Sequence, residues 1–213
     1  MSRRASSWRL FLAPLLVLLV AACEESRARN PVAASEVTFF SRVCEDYPPW
    51  ETAVYNLPYD VGRSFLVING NCSTTVPTHS GRQRYAYDLL MPTGTRVLAS
   101  RAGNVSFVLD QFGDQTTDLA QTNIVEIRHR DGTYAHYDHF TAGGVAVQLG
   151  QFVEQGARIG WSGASGTDFP HLHFDVHTCG LATDLCDTVP VTFQNTIPNP
   201  EGLQVGEAYP ALF

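Results

Sequence analysis

The sequence predicts an all-β fold, a β-sandwich of antiparallel sheets, and three observations carry that expectation. Short β-prone runs recur from about residue 64 onward, Gly- and Pro-centred turn signals separate them at close spacing, and no stretch holds a helical period. In chain order the runs are Ser64–Ile68, Tyr85–Leu90, Arg96–Ser100, Asn104–Leu109, Ile124–His129, Thr133–His139, Val145–Val147, Arg158–Trp161 and His171–His177. The turn signals between them include Pro92-Thr93-Gly94, Ala102-Gly103, Asp131-Gly132 and Gly143-Gly144. The polar stretch Asp110 to Thr122 lacks strand signal and is long enough either to border a cleft or to be a plain surface loop. After Asp187 the chain carries Pro190, Pro198, Pro200 and Pro210, which predicts an extended tail over 188–213.

The N-terminus reads as an export signal. Arg3, Arg4 and Arg9 precede an apolar run from Leu10 to Ala22 that is shorter than the roughly 20 residues a membrane span needs. Leu19-Val20-Ala21-Ala22-Cys23 resembles a bacterial lipobox, which would make Cys23 the lipidated first residue of the mature chain. The alternative is an ordinary signal cleavage site with an incidental cysteine. The organisation expected is a signal peptide over 1–22, a lipid-anchored flexible tether over 23–38, an N-terminal extension over 39–64, and the main domain over 65–187.

Cysteine usage points the same way. With Cys23 set aside, Cys44, Cys72, Cys179 and Cys186 form an even set, as two disulfides in an oxidising compartment would require. Cys179 and Cys186 are near enough to close a small loop, and Cys44 with Cys72 would then tie the extension to the domain. Three pairings are open to four cysteines, and four free thiols is the remaining alternative. The basic residues number 14, all arginine; removing the three in the leader leaves 11 against 21 acidic groups, a net charge of about -10. So acidic a chain is not expected to bind nucleic acid, which needs clustered positive charge. A monomer is expected.

The informative site is His171-Leu172-His173-Phe174. On a strand, residues two apart share a face, so both histidines project one way while Leu172 and Phe174 face the core. His177 continues the same face. His136 alternates with Tyr134 and Asp138, and reaches substrate only if that face borders the cleft. His129, before Asp131-Gly132, marks a strand end entering a turn.

Several motifs then fall in one order. Tyr85-Ala86-Tyr87-Asp88 is followed by Pro92-x-Gly94-Thr95-x-Val97-x-Ala99, Gly103-x-Val105 and Asp131-Gly132-Thr133-Tyr134-x-x-Tyr137-x-His139. Gly156-x-x-Ile159-Gly160-x-x-Gly163-x-x-Gly166 and Pro170-His171-Leu172-His173-Phe174 complete the series. From Phe65 to His177 the chain resembles the LytM/lysostaphin-type zinc metallopeptidases, which have the duplicated hybrid motif fold. That resemblance implies Zn²⁺ held by His79, Asp88 and His173, with His171 as general base and His139 supporting the oxyanion. The chain departs from the commonest pattern at one ligand: four residues before Asp88 stands Arg84, and His79 lies nine before it, as in relatives with a longer loop. Two histidines and a carboxylate suit borderline Zn²⁺ and leave a fourth position for water.

The resemblance further implies a metalloendopeptidase acting on peptide bonds in peptidoglycan stems or cross-links, held at a membrane of the bacterial envelope by its N-terminal lipid and facing the periplasm or the exterior. Two other readings are compatible with the motifs. One is an inert LytM-type domain that binds and activates separate wall hydrolases. The other is a zinc peptidase of envelope proteins.

Overall fold

In the computed structural model the described residues are 44, 46–70, 72, 79–181 and 186–213. The expected signal peptide over 1–22, Cys23, the expected tether over 23–38 and the start of the expected extension lie outside them. Among these residues eleven strands are present: β1 Ser64–Asn69, β2 Tyr87–Leu89, β3 Arg96–Leu98, β4 Gly103–Leu109, β5 Ile124–Arg128, β6 Tyr134–Asp138, β7 Phe140–Val145, β8 Phe152–Val153, β9 Arg158–Ser162, β10 Leu172–His177 and β11 Ala208–Pro210. They form an eight-stranded sheet in the order β11-β1-β2-β10-β6-β5-β4-β8 and a three-stranded sheet in the order β3-β9-β7. Every strand pairing is antiparallel. Helical structure among the described residues is confined to three single turns, at Trp50–Thr52, Gly81–Gln83 and Leu119–Gln121. The fold is all-β, as the sequence predicts.

The larger sheet has two unlike faces, and period-two alternation makes them so. Leu172, Phe174 and Val176 of β10, Ala135 and Tyr137 of β6, Val125 and Ile127 of β5, and Tyr87 and Leu89 of β2 are fully buried on one face. Val97, Phe140 and Ile159 from the smaller sheet join them in a single core. The opposite face is polar, and the registers align its side chains in two rows. Asn69, Asp88, His173 and Asp138 are successive cross-strand partners along β1-β2-β10-β6. One step along, Asp175, His136 and Glu126 are partners along β10-β6-β5.

Two local irregularities bring further groups to the polar face. The register of β1 against β2 shifts between Val67 and Asn69. Strict alternation would leave Asn69 on the core side with Phe65 and Val67; the bulge re-aims it toward Asp88. His139 has a φ of 69°, a left-handed conformation uncommon outside glycine. It breaks the alternation that would otherwise send His139 away from Asp138, and Phe140 then returns to the core.

The strands differ from the sequence expectation in three places. A strand at Phe140–Val145 replaces the expected Val145–Val147. Gly143-Gly144, which reads as a turn, lies inside it, because Gly144 faces the backbone oxygens of Thr141 and Trp161 too closely for a side chain. The short β8 and the tail strand β11 carry little pattern. β11 pairs with β1, and the tail and the N-terminal segment lock together through Tyr59 Oη donating to Tyr209 O at 2.6 Å and Leu57 N donating to Asn195 Oδ1 at 2.7 Å. Cys44 pairs with Cys72 and Cys179 with Cys186.

Candidate active site

The site grows from the first polar row. Asp88 stands at the centre of β2, with one neighbour on each side. Asn69 Nδ2 donates to its Oδ2 at 3.1 Å, which leaves Oδ1 for the histidines. His173 Nδ1 lies 2.9 Å from Oδ1, His79 Nε2 3.2 Å and His171 Nε2 3.7 Å. His79 enters from the loop before the turn at Gly81–Gln83 and is almost wholly buried. Its position nine residues before Asp88 therefore does bring it to the carboxylate.

Three ring nitrogens aimed at one oxygen raise a question of protons. Hydrogen bonds alone would require a proton on each facing nitrogen. His171 Nδ1 is 3.1 Å from Phe169 O, and a carbonyl only accepts, so the proton of a neutral His171 sits on Nδ1 and Nε2 carries the lone pair. His173 Nε2 is likewise 3.2 Å from Asp175 Oδ2. A proton there leaves Nδ1 as a lone pair directed at the centre, an arrangement that fixes the tautomer of metal-binding histidines. Ligand atoms of His79, Asp88 and His173 all lie within 4.8 Å of one another. Two imidazoles and one carboxylate, with their lone pairs converging, fit a divalent cation such as Zn²⁺.

The electrostatics follow from burial and partners. Burial opposes the charge on Asp88, but hydrogen bonds from His173 and His79 outweigh it and hold the carboxyl well below its usual range. Burial also disfavours protonated His173, yet hydrogen bonds to Asp175 and Asp88 lift it well above an ordinary histidine. His171 is pushed down by burial, with nearby Asp88 opposing. His139 is pushed down to about 3, chiefly by burial and then by His171 and His173. Its Nδ1 is 2.7 Å from Ser165 O, so the neutral ring keeps its lone pair on Nε2. The rings of His139 and His171 are 4.5 Å apart between centroids.

These groups line a cleft of about 640 Å³, with Leu119, Thr122 and Ile124 on one side and Thr167 and Phe169 on another. The segment from Asp110 to Thr122 thus borders the site. It is tied down by Asp114, whose Oδ2 accepts from Thr141 Oγ1 at 2.6 Å, and by Asn123, whose Oδ1 accepts from Gln111 N and Phe112 N at 2.9 Å.

The structure brings together His79, Asp88, His139, His171 and His173. His136 and His177 stand apart from that cleft, around a neighbouring cavity. His129 sits beyond the end of β5, with its Nδ1 on Ala102 O at 3.0 Å. Sequence reasoning passed over Asn69, Asp175 and Asp138. Asp175 had a usable signal, being two residues from His173 on the same strand face. Asn69 had none, since its placement depends on a bulge.

Residues 82–185 match the model of peptidase family M23. No curated protein matches the chain significantly. Among solved structures it is similar to the catalytic domain of a mutant of the prophage-encoded M23 protein EnpA from Enterococcus faecalis, at 23% identity over 63% of this chain and 94% of that one, with a TM-score of 0.47. The catalytic domain of the antimicrobial peptidase lysostaphin from Staphylococcus simulans matches at 22% identity over 61% and 88%, with a TM-score of 0.42. A zinc-containing peptidase from Vibrio cholerae matches at 24% identity over 65% of this chain and 39% of that one, with a TM-score of 0.41. Residues 82–185 are thus a peptidase family M23 domain, and together with His79 they carry the intact His79–Asp88–His173 metal-binding group of a metallopeptidase.

Proposed function

We propose that the chain is a zinc endopeptidase of the bacterial envelope that hydrolyses peptide bonds in the stems or cross-links of peptidoglycan. The observation that carries the reading is the convergence of His79, His171 and His173 nitrogens on Asp88 Oδ1 at the floor of an open cleft. His79, Asp88 and His173 would hold Zn²⁺. When bound, the ion supplies Lewis acidity, polarising the scissile carbonyl and bringing the pKa of bound water to about 7.

The chain's own residues supply the proton handling. His171 is neutral and presents Nε2 to the centre, so it accepts the proton of the attacking water there, and its Nδ1–H to Phe169 O holds the ring in place. His139 supports the oxyanion only when Nε2 carries a proton, because the single proton of its neutral ring is committed to Ser165 O. We therefore read His171 as the group that takes the proton of the attacking water and returns it to the departing amine, with the His139 ring 4.5 Å away lining the same cleft. Phe169 and Leu119, both exposed at the cleft, offer apolar contact to the substrate on either side.

The complete ligand set favours an enzyme over an inert activator of other hydrolases. Anchoring through Cys23 belongs to the same proposal and rests on the sequence Leu19 to Cys23; a Cys23→Ser chain should leave the membrane fraction. The decisive experiment is incubation of the metal-loaded protein with peptidoglycan sacculi and, separately, with unfolded protein. Release of muropeptides that His173→Ala abolishes supports the reading. Cleavage of the unfolded protein alone points to envelope proteins as substrate, and activity retained in His173→Ala sinks the enzymatic reading.

A further inference from the structure

The second polar row of the large sheet builds another convergent cluster. Asp175 Oδ1 is buried and lacks a well-aligned hydrogen bond. His177 Nε2 lies 3.0 Å from it and His136 Nδ1 3.4 Å. The outer nitrogen of each ring is already engaged by an acceptor: His136 Nε2 meets Glu126 Oε2 at 3.0 Å, and His177 Nδ1 meets Cys186 O at 3.3 Å. If each ring spends its one proton outward, both inner nitrogens present lone pairs to the same carboxylate oxygen. Three lone pairs facing one another are repulsive unless a cation sits among them.

The support around the cluster has the pattern of a metal site. Glu126 is itself fixed by Ser106 Oγ, which donates to Oε1 at 2.6 Å, and by Leu181 N, which donates to Oε2 at 2.6 Å. The His136 and His177 rings stack at 4.3 Å. Beside them is a cavity of about 360 Å³, lined also by Arg82, Gln83 and the Cys179–Cys186 disulfide, a volume that holds an ion with waters. Ligand atoms of His136, Asp175 and His177 all lie within 4.8 Å of one another.

We propose that His136, Asp175 and His177 form a second binding site for a borderline divalent cation of the Zn²⁺ type, separate from the His79–Asp88–His173 centre and joined to it through Asp175. Two imidazoles exclude Mg²⁺ and Ca²⁺ as preferred occupants, since those ions take oxygen ligands. The bridge is the Asp175 carboxylate: Oδ2 accepts from His173 Nε2 while Oδ1 faces the second cluster. A cation there competes for the charge that steadies His173.

The test is metal stoichiometry on the full chain. Chelator-stripped protein is dialysed against Zn²⁺ and its metal content measured, for the wild type, His177→Gln, His79→Ala and the double variant. The expected contents are two, one, one and none per chain. His177 lies at the rim of the cavity, so His177→Gln is expected to fold, which a thermal melt checks. Anomalous diffraction at the zinc edge from wild-type crystals gives the answer without any variant: a peak between His136 and His177 is expected. A metal content unchanged between wild type and His177→Gln, a wild-type content lost entirely in His79→Ala, or no anomalous peak at the cluster overturns the proposal. A wild-type equivalent that His177→Gln removes and His79→Ala leaves, with none depending on His79, would instead count against the first centre, so the two readings fail separately.

Discussion

His173 Nδ1 and Asp88 Oδ1 meet at 2.9 Å because the two residues are direct partners in the β2–β10 pairing. Their contact is a property of the register. A slip of one residue would turn His173 into the core and bring Leu172 to the polar face. The fully buried Leu172, Phe174 and Val176 on the opposite face forbid that slip. The core thus holds the metal-binding group in place, and the two cannot be altered independently.

Asp175 acts on the centre through His173. Its Oδ2 receives His173 Nε2, which orients the ring and raises its basicity toward the ion. In the His177→Gln background, which leaves only the first centre, Asp175→Ala is expected to weaken Zn²⁺ binding about 10–100-fold. Asp175→Asn keeps an acceptor oxygen and should fall between that variant and the wild type. Competition with a fluorescent chelator measures both. Unchanged affinity in Asp175→Ala would show that His173 needs no such partner.

His171→Ala is expected to separate chemistry from metal binding. His171 Nε2 is 3.7 Å from Asp88 Oδ1, the longest of the three approaches, and its Nδ1 is held by Phe169 O. His171→Ala should keep one equivalent of zinc at the first centre while kcat falls by roughly 10²–10⁴-fold, the range for losing a positioned general base. Metal analysis alongside hydrolysis rates distinguishes this from loss of a ligand, in which both would fall together.

Much of this site was legible because strand alternation is local. The spacing of His171, His173 and His177 assigns them one face before any tertiary contact is known, and Leu172 and Phe174 the other. What was hidden depends on partners distant in sequence. His136 meets Asp175 only because β6 lies beside β10, and Asn69 reaches Asp88 only through the bulge in β1. His139 is a different case. Alternation from Asp138 would send it away from the cleft, and only its positive φ brings it back. The β7 strand was obscured because Gly143-Gly144 has turn chemistry, yet Gly144 serves close backbone approach instead.

His129 gives the fold an acid sensitivity remote from the metal groups. The ring is buried with Nε2 unpartnered, and burial lowers its pKa below the ordinary histidine value of 6.5. The unfolded chain therefore binds a proton at a pH where the folded chain does not. Stability contributed by neutral His129 is complete above the unfolded pKa and declines as pH falls from there toward the folded pKa. His129→Asn can retain an N–H donor for Ala102 O without a titrating ring. Urea midpoints measured from pH 7.5 to 5 should fall for the wild type, and the slope should be shallower in His129→Asn. Parallel slopes would remove His129 as the cause.

Gly163 is where backbone packing and catalytic geometry coincide. Its N–H donates to His139 O at 2.8 Å, and it forms an isolated bridge with His171. One residue therefore spaces both cleft histidines outside the metal-binding group. A Cβ at this position would overlap the backbone N and Cα of Thr141, two residues beyond His139. Neither atom is the end of a flexible side chain, so the strand or the turn must move. Gly163→Ala is expected to cost about 1–3 kcal/mol, as overpacking does, lowering Tm by roughly 2–10 °C. The rate should suffer more than the stability, because the displacement falls on His139 and His171, while His79 lies in a separate loop and Asp88 and His173 are held by the β2–β10 pairing. Zinc content at the first centre should therefore persist in Gly163→Ala as kcat drops. A variant that loses zinc and Tm but keeps its rate per bound zinc would place the glycine's role in folding alone.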